Sequence, residues 1–146
     1  MQIVTNSAAE TEAAGAALAA RLKPGCVVAL YGGLGMGKTA FVRGLAAGLD
    51  NHAEVSSPTF ALVHDYGGQP PLIHFDMYRI GSWEDLYTTG FFDYLEAGGI
   101  LAVEWSENVA DALTDAISIT IEKDPAQLDW RKITIEGGAR FEALGL

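Results

Sequence analysis

Cysteine is nearly absent: the 146 residues contain one, so no disulfide can form within the chain. That residue, Cys26, opens an apolar run and reads as a small buried hydrophobe rather than a nucleophile or redox centre. Basic residues are also scarce. Nine Lys plus Arg stand against 19 Asp plus Glu, a formal net charge of −10, which argues against non-specific wrapping of nucleic acid as the main activity. Any nucleic acid involved is expected to be held by a partner. No apolar run approaches the length of a membrane span, and the opening MQIVTNSAAETEAAG lacks the basic and long apolar regions of a signal peptide. The expectation is a cytoplasmic protein with no membrane contact. Internal repeats and low-complexity segments are missing too.

What remains is 49% hydrophobic and 19% charged with 17 glycines, the composition of a compact α/β protein. Its length predicts one domain spanning 1–146, with little room for a lid. The organising stretch is 32–39, GGLGMGKT, which satisfies GxxxxGK[ST]. Gly32, Gly33, Gly35 and Gly37 permit positive φ and put no side chain in the way, so backbone N–H groups along the loop, those of Leu34 and Met36 included, can curl around phosphate oxygens. Lys38 brings a mobile point charge to the β- and γ-phosphates. Thr39 offers a hydroxyl to magnesium. The flanks agree with this reading: 26–31 (CVVALY) reads as a buried strand and 39–49 (TAFVRGLAAGL) as the helix that follows, whose positive end adds to the anion site. A nucleotide with Mg²⁺ is the expected pair of ligands.

Around that unit, 2–5 can form a short strand, and Asn6 or Ser7 can cap a helix with apolar positions at Ala14, Ala17, Leu18 and Leu22, ended by Pro24 and Gly25. Residues 56–59 (SSPT) look like a switch, with Thr59 the candidate to sense the γ-phosphate or its magnesium. The runs 60–66 (FALVHDY) and 72–78 (LIHFDMY), separated by GGQPP, predict a hairpin. It puts Asp65 near the turn and Asp76 at the far end, on the same side as Thr59. His64 and His74 lack a third nitrogen or sulfur ligand nearby, which argues against zinc and leaves them as packed or surface imidazoles. Ser82 with Asp85 begins a short helix, and 91–95 (FFDYL) a second that drops aromatics into the core. The apolar run 100–103 (ILAV) predicts a central parallel strand buried on both faces. In the tail, 116–122 and 131–136 alternate as half-exposed strands, predicted to be an antiparallel pair at one edge, and residues from Gly137 onward read as a frayed turn.

Two acids compete for the chemistry. Glu104 ends the central parallel run, where an open α/β sheet builds its site. Asp76 ends the hairpin strand. Glu104 is favoured as the metal-side ligand with Thr39, and Asp76 as the acid that positions water, with direct and water-mediated magnesium contact open for both. Arg79 is three residues past Asp76, where it can clamp that acid, approach phosphate or form a structural ion pair. Trp105 reads as core or as a shield for the nucleotide.

In their order and separations, GGLGMGKTAFVRGLAAGL, SSPTFALVHDY, IHFDMYR and LAVEW resemble the bacterial TsaE (YjeE) ATPases of tRNA threonylcarbamoyladenosine biosynthesis. The likeness covers roughly 11–105. It implies a three-layer, single-domain P-loop NTPase fold of the α/β class, with a mostly parallel central sheet, an antiparallel hairpin and edge strands. It also implies ATP binding by the loop matching 34–39, Mg²⁺ on Thr39 and Glu104, and a part in ATP turnover for Asp76. The implied partners are the TsaB and TsaD proteins, with tRNA met only through that complex. Two departures are mild: Gly33 stands where the family often has Asp, and Ser106 where Pro commonly follows EW.

A γ-phosphate transition state usually needs an arginine, and this chain has only Arg21, Arg43, Arg79, Arg131 and Arg140. Slow hydrolysis by the free protein, completed by the partner complex, is therefore expected. Two rival readings stand beside this one. A small-molecule kinase would need an acceptor pocket and an arginine-bearing lid, and no arginine-rich segment is present. A nucleotide-gated binding module would use ATP only to set the shape of the 56–59 segment.

Overall fold

The computed structural model describes residues 1–32, 37–58, 62–113 and 115–137. The expectations for Gly33, Leu34, Gly35, Met36, Thr59, Arg140 and the tail beyond Gly137 lie outside the described residues. In chain order the elements are β1 (Gln2–Thr5), α1 (Ala8–Ala19), β2 (Val27–Tyr31), α2 (Lys38–Gly48), β3 (Val63–Gly68), β4 (Pro71–Asp76), α3 (Trp83–Thr88), α4 (Phe91–Glu96), β5 (Ile100–Glu104), 3-10 turns over Ser106–Ala112, β6 (Ile117–Asp124) and β7 (Gln127–Glu136). The strands form one mixed sheet in the order β1-β7-β6-β2-β5-β4-β3. Its centre is parallel, β6 to β2 to β5 to β4, and its margins are antiparallel.

Side-chain alternation divides the core into two layers. Val28 and Leu30 of β2, Leu72 of β4, and Ile100 and Ala102 of β5 face α1 and α2. Ala29, Ile73, Phe75, Leu101 and Val103 face the opposite way, against Leu86 of α3, Phe91 of α4 and Val109 of the 3-10 turns. Every residue of β5 is buried, as a strand covered on both faces requires.

Local signals explain the helix starts. Ser7 accepts the Glu10 amide at the head of α1, and Ser82 accepts the Asp85 amide at the head of α3. The first helix stops at Ala19, before Leu22 and well before Pro24 and Gly25. α1 lies against α2 at glycine positions: a Cβ added to Gly15 would collide with the Phe41 carbonyl oxygen, and one on Gly44 with that of Glu12. The hairpin forms as expected, with Val63 opposite Phe75 and His64 opposite His74.

The tail expectation needs correction. β6 and β7 do pair antiparallel, but β6 lies inside the sheet as a parallel neighbour of β2, and the outer place belongs to β1. Ile119, Ile121 and Ile133 are buried accordingly. Among the described residues no helix is long and apolar enough to cross a membrane.

Candidate functional site

Three parallel strands end together. Asp76 of β4 is the register partner of Glu104 of β5, and β5 lies beside β2, whose last residue Tyr31 leads into Gly32. Asp76 and Glu104 share the side-chain parity of Leu72, Ile100 and Ala102, so they belong to the sheet face covered by α2. The sheet thus delivers two carboxylates beside the helix that starts at Lys38.

Gly32 has φ 132° and Gly37 φ 99°, both in the region that favours glycine. Gly37 is also the N-cap of α2 and supplies no side-chain cap, which leaves the first amides of the helix to an outside acceptor. Lys38 is buried at 6% exposure; its Nζ donates to the Gly32 carbonyl at 2.9 Å and stands 4.4 Å from the centre of the Trp105 ring. Thr39, next along, is half-buried. Arg131 of β7 reaches the same place, with Nε 3.9 Å from where a Cβ on Gly37 would be.

Both acids are withdrawn from water. Burial raises the Asp76 carboxyl above the usual carboxylate range; the Tyr78 amide opposes this, Glu104 adds to it, and Lys38 and His74 oppose it. Asp76 Oδ1 accepts the Tyr78 amide at 2.9 Å. Glu104 Oε2 is 2.5 Å from Nε2 of His74, whose ring is fully buried. On the other side of that ring, Nδ1 is 3.0 Å from the Tyr66 hydroxyl. Burial raises the Tyr66 phenol as well, against the lowering effect of the hydrogen bond that the Ser56 amide donates to its oxygen and with an addition from Glu104, so it stays protonated. Trp105, directly after Glu104, has φ 57°, a left-handed backbone rare for a bulky residue and typical of functional strand ends. Its ring is half-buried and meets Tyr78 edge-on. It packs against the second core layer and at the same time lies beside Lys38.

Among the described residues no group of three His, Cys, Asp or Glu side chains could hold a metal ion. What the strand ends and the helix start offer instead is oxygen: the Thr39 hydroxyl and the Asp76 and Glu104 carboxylates. That donor set fits a hard cation such as Mg²⁺, which takes one or two carboxylates and keeps its waters. Sequence reasoning placed Gly32, Gly37, Lys38, Thr39, Asp76 and Glu104 in one site, and the fold brings them to one end of the sheet. It missed His74 and Tyr66. Alternation was the available signal, since His64, Tyr66 and His74 share the parity of Asp76 across the hairpin register.

A parallel-centred α/β sheet with this loop between its central strand and a flanking helix defines a P-loop protein. The profile of the family described as threonylcarbamoyl adenosine biosynthesis protein TsaE matches residues 5–133. The chain is 40% identical over 127 residues to the tRNA threonylcarbamoyladenosine biosynthesis protein TsaE of Treponema pallidum, covering 85% of this chain and 94% of that one. Against the protein of the same description from Bacillus subtilis it is 40% identical over 139 residues, covering 92% and 85%. The crystal structure of Bacillus subtilis YdiB superposes with a TM-score of 0.81 at 33% identity, covering 99% of this chain and 90% of that one. The chain belongs to the TsaE family.

Proposed function

We propose that this chain is a cytoplasmic, magnesium-dependent ATPase that serves threonylcarbamoyladenosine modification of tRNAs reading codons that begin with A. In this reading it works with the TsaB and TsaD proteins and meets tRNA through their complex. The observation that carries the reading is the meeting of Lys38 and the uncapped start of α2 with a buried acid pair on the neighbouring strand ends. Lys38 and the helix amides bind the phosphates. Thr39 and Glu104 would hold Mg²⁺, which when bound supplies positive charge against the phosphate oxygens. Asp76 keeps Oδ1 on the Tyr78 amide, and Oδ2 is the oxygen assigned to the attacking water. Its raised proton affinity suits it to receive that water's proton. The loop glycines, Leu34 and Met36 are assigned to phosphate binding, Thr39 to magnesium and Thr59 to the γ-phosphate or its magnesium.

The test is steady-state ATP hydrolysis with Mg²⁺ by the wild type and Glu104→Ala, alone and with TsaB, TsaD and tRNA. Turnover that rises with the partners and is lost in the variant is expected. Turnover equal with and without partners would overturn the dependence on the complex. Nucleotide binding without turnover in any mixture would replace the ATPase reading with that of a nucleotide-gated binding module.

A further inference from the structure

A line of hydrogen bonds leaves the site at Glu104 and reaches the main chain upstream of β3. Nε2 of His74 and Oε2 of Glu104 share a buried hydrogen bond, in which a carboxylate can only accept and the ring nitrogen then donates. Nδ1 of the same ring is 3.0 Å from the Tyr66 hydroxyl. That hydroxyl is 2.9 Å from the Ser56 carbonyl oxygen, and the Ser56 amide donates to it at 3.3 Å. His64 Nδ1 stands 3.1 Å from the Ser56 carbonyl and 3.3 Å from the hydroxyl. The three rings are in contact, with centroids 5.8 to 6.5 Å apart. Every link belongs to a named group.

The geometry is more than a tether. A phenol has one proton, and the two nearest acceptors of Tyr66 are the carbonyl of Ser56 at 2.9 Å and the ring nitrogen of His74 at 3.0 Å, with His64 Nδ1 farther off and itself beside the Ser56 carbonyl. It can satisfy one at a time, which gives the line two discrete arrangements. One draws the phenol toward the Glu104–His74 pair. The other holds the main chain at Ser56, two residues before the buried Pro58.

We infer that His74 is a positioning residue for Glu104, and that the Tyr66 hydroxyl couples this pair to the 56–58 segment. The inference rests on the site reading above and adds a regulatory link to it. Whatever changes the load on the Glu104 carboxylate shifts the Tyr66 proton between its acceptors and so changes how firmly Ser56 is held. By reciprocity, whatever grips 56–58 from outside alters the setting of Glu104. This is a two-state element that both ends bias, the physical requirement for coupling.

The test follows amide hydrogen exchange of 52–58 by mass spectrometry, with and without Mg²⁺ and the non-hydrolysable ATP analogue adenylyl imidodiphosphate, beside calorimetric affinities with and without Mg²⁺. In the wild type the ligand is expected to change exchange at 52–58 by about fivefold or more, whereas Tyr66→Phe, which removes one oxygen, reduces the change to less than about twofold and leaves Mg²⁺-free affinity within about twofold. His74→Gln, which can still donate to Glu104, is expected to keep more of the Mg²⁺-dependent gain in affinity than His74→Leu. Equal loss in the two would mean that His74 only fills space. A wild-type response retained in Tyr66→Phe, or no response in a wild type that binds the analogue, overturns the coupling alone. Failure of the wild type to bind the analogue overturns the site reading and the coupling together.

Discussion

Asp76 and Glu104 sit side by side as register partners on adjacent parallel strands, 3% and 4% exposed. Two carboxylates so placed repel each other in a medium that screens poorly, and each needs a compensating group. Glu104 has His74. Asp76 has the Tyr78 amide and the opposing influence of Lys38 and His74, and its proton affinity still rises. The pair is an arrangement kept at some cost to stability, as expected where function rather than folding selects the residues.

Stability should show that cost with a definite pH sign. Because the folded value of Asp76 is raised, its contribution is fully present below the ordinary carboxylate range and is lost as pH rises through the raised folded value. Between those points the folded state binds more protons than the unfolded one. Asp76→Asn keeps an oxygen for the Tyr78 amide and removes the charge, so urea unfolding at neutral pH should show a gain of about 1 kcal/mol. The gain should vanish below the ordinary carboxylate range. A difference that is the same at both pH values would show that charge is not its origin.

Glu104→Gln should separate metal use from phosphate binding. In the proposed site Glu104 acts on the cation side, whereas Lys38 and the start of α2 hold the phosphates. Turnover with Mg²⁺ should fall by roughly a hundredfold, while ATP affinity in the presence of a chelator stays within about threefold. Equal losses with and without Mg²⁺ would move Glu104 out of that role. A thermal melt is needed beside it, because the substitution also removes the charged partner of a fully buried imidazole.

Much of this was readable from residue order. The fixed spacing of Gly32, Gly37, Lys38 and Thr39 marked where β2 stops and α2 starts, and the unbroken run before Glu104 marked a strand covered on both faces, because each pattern admits few alternatives. The hairpin was equally plain from its glycine and proline turn. Other features depend on pairings across long separations. Ile117 to Thr120 alternate, which suits an edge strand, yet they lie beside β2 because β7 and the four-residue β1 take the outer places. Nothing local to QIVT announces that. His74 lacks the companions that a metal site needs, but a buried imidazole needs only one carboxylate, and Glu104 is 30 residues away in sequence.

Lys38 offers a test of the cradle itself. Its ammonium donates to the Gly32 carbonyl and lies against Trp105, so the loop's entry, its helix and the end of β5 meet at one charge. Lys38→Ala should weaken ATP binding by roughly tenfold to a hundredfold, the loss expected for a charged hydrogen-bonding group. Lys38→Arg should not restore it, since a planar, longer guanidinium must enter a place where only 6% of the lysine is exposed. Restoration by arginine would show that charge alone suffices there.

The contact of α1 with α2 gives the last prediction, and it reverses a general rule. In an exposed helix interior, Gly→Ala stabilises by roughly 0.5–1 kcal/mol, because alanine loses less backbone entropy on folding. Gly44 lies in the middle of α2, where that rule would favour alanine. Here the added Cβ meets backbone of Glu12, with its carbonyl carbon only 2.7 Å away, and no side chain can swing aside. Gly44→Ala must therefore push the helices apart, at a cost of about 2–3 kcal/mol, or roughly 5–10 °C in Tm. Gly81→Ala is the control, since nothing lies within 4 Å of a Cβ there. The displacement would also reach the site, because α2 carries Lys38 and Thr39 at its start. A fall in ATP affinity accompanying the fall in Tm is expected, and an unchanged melt in Gly44→Ala would show that the two helices do not pack this closely.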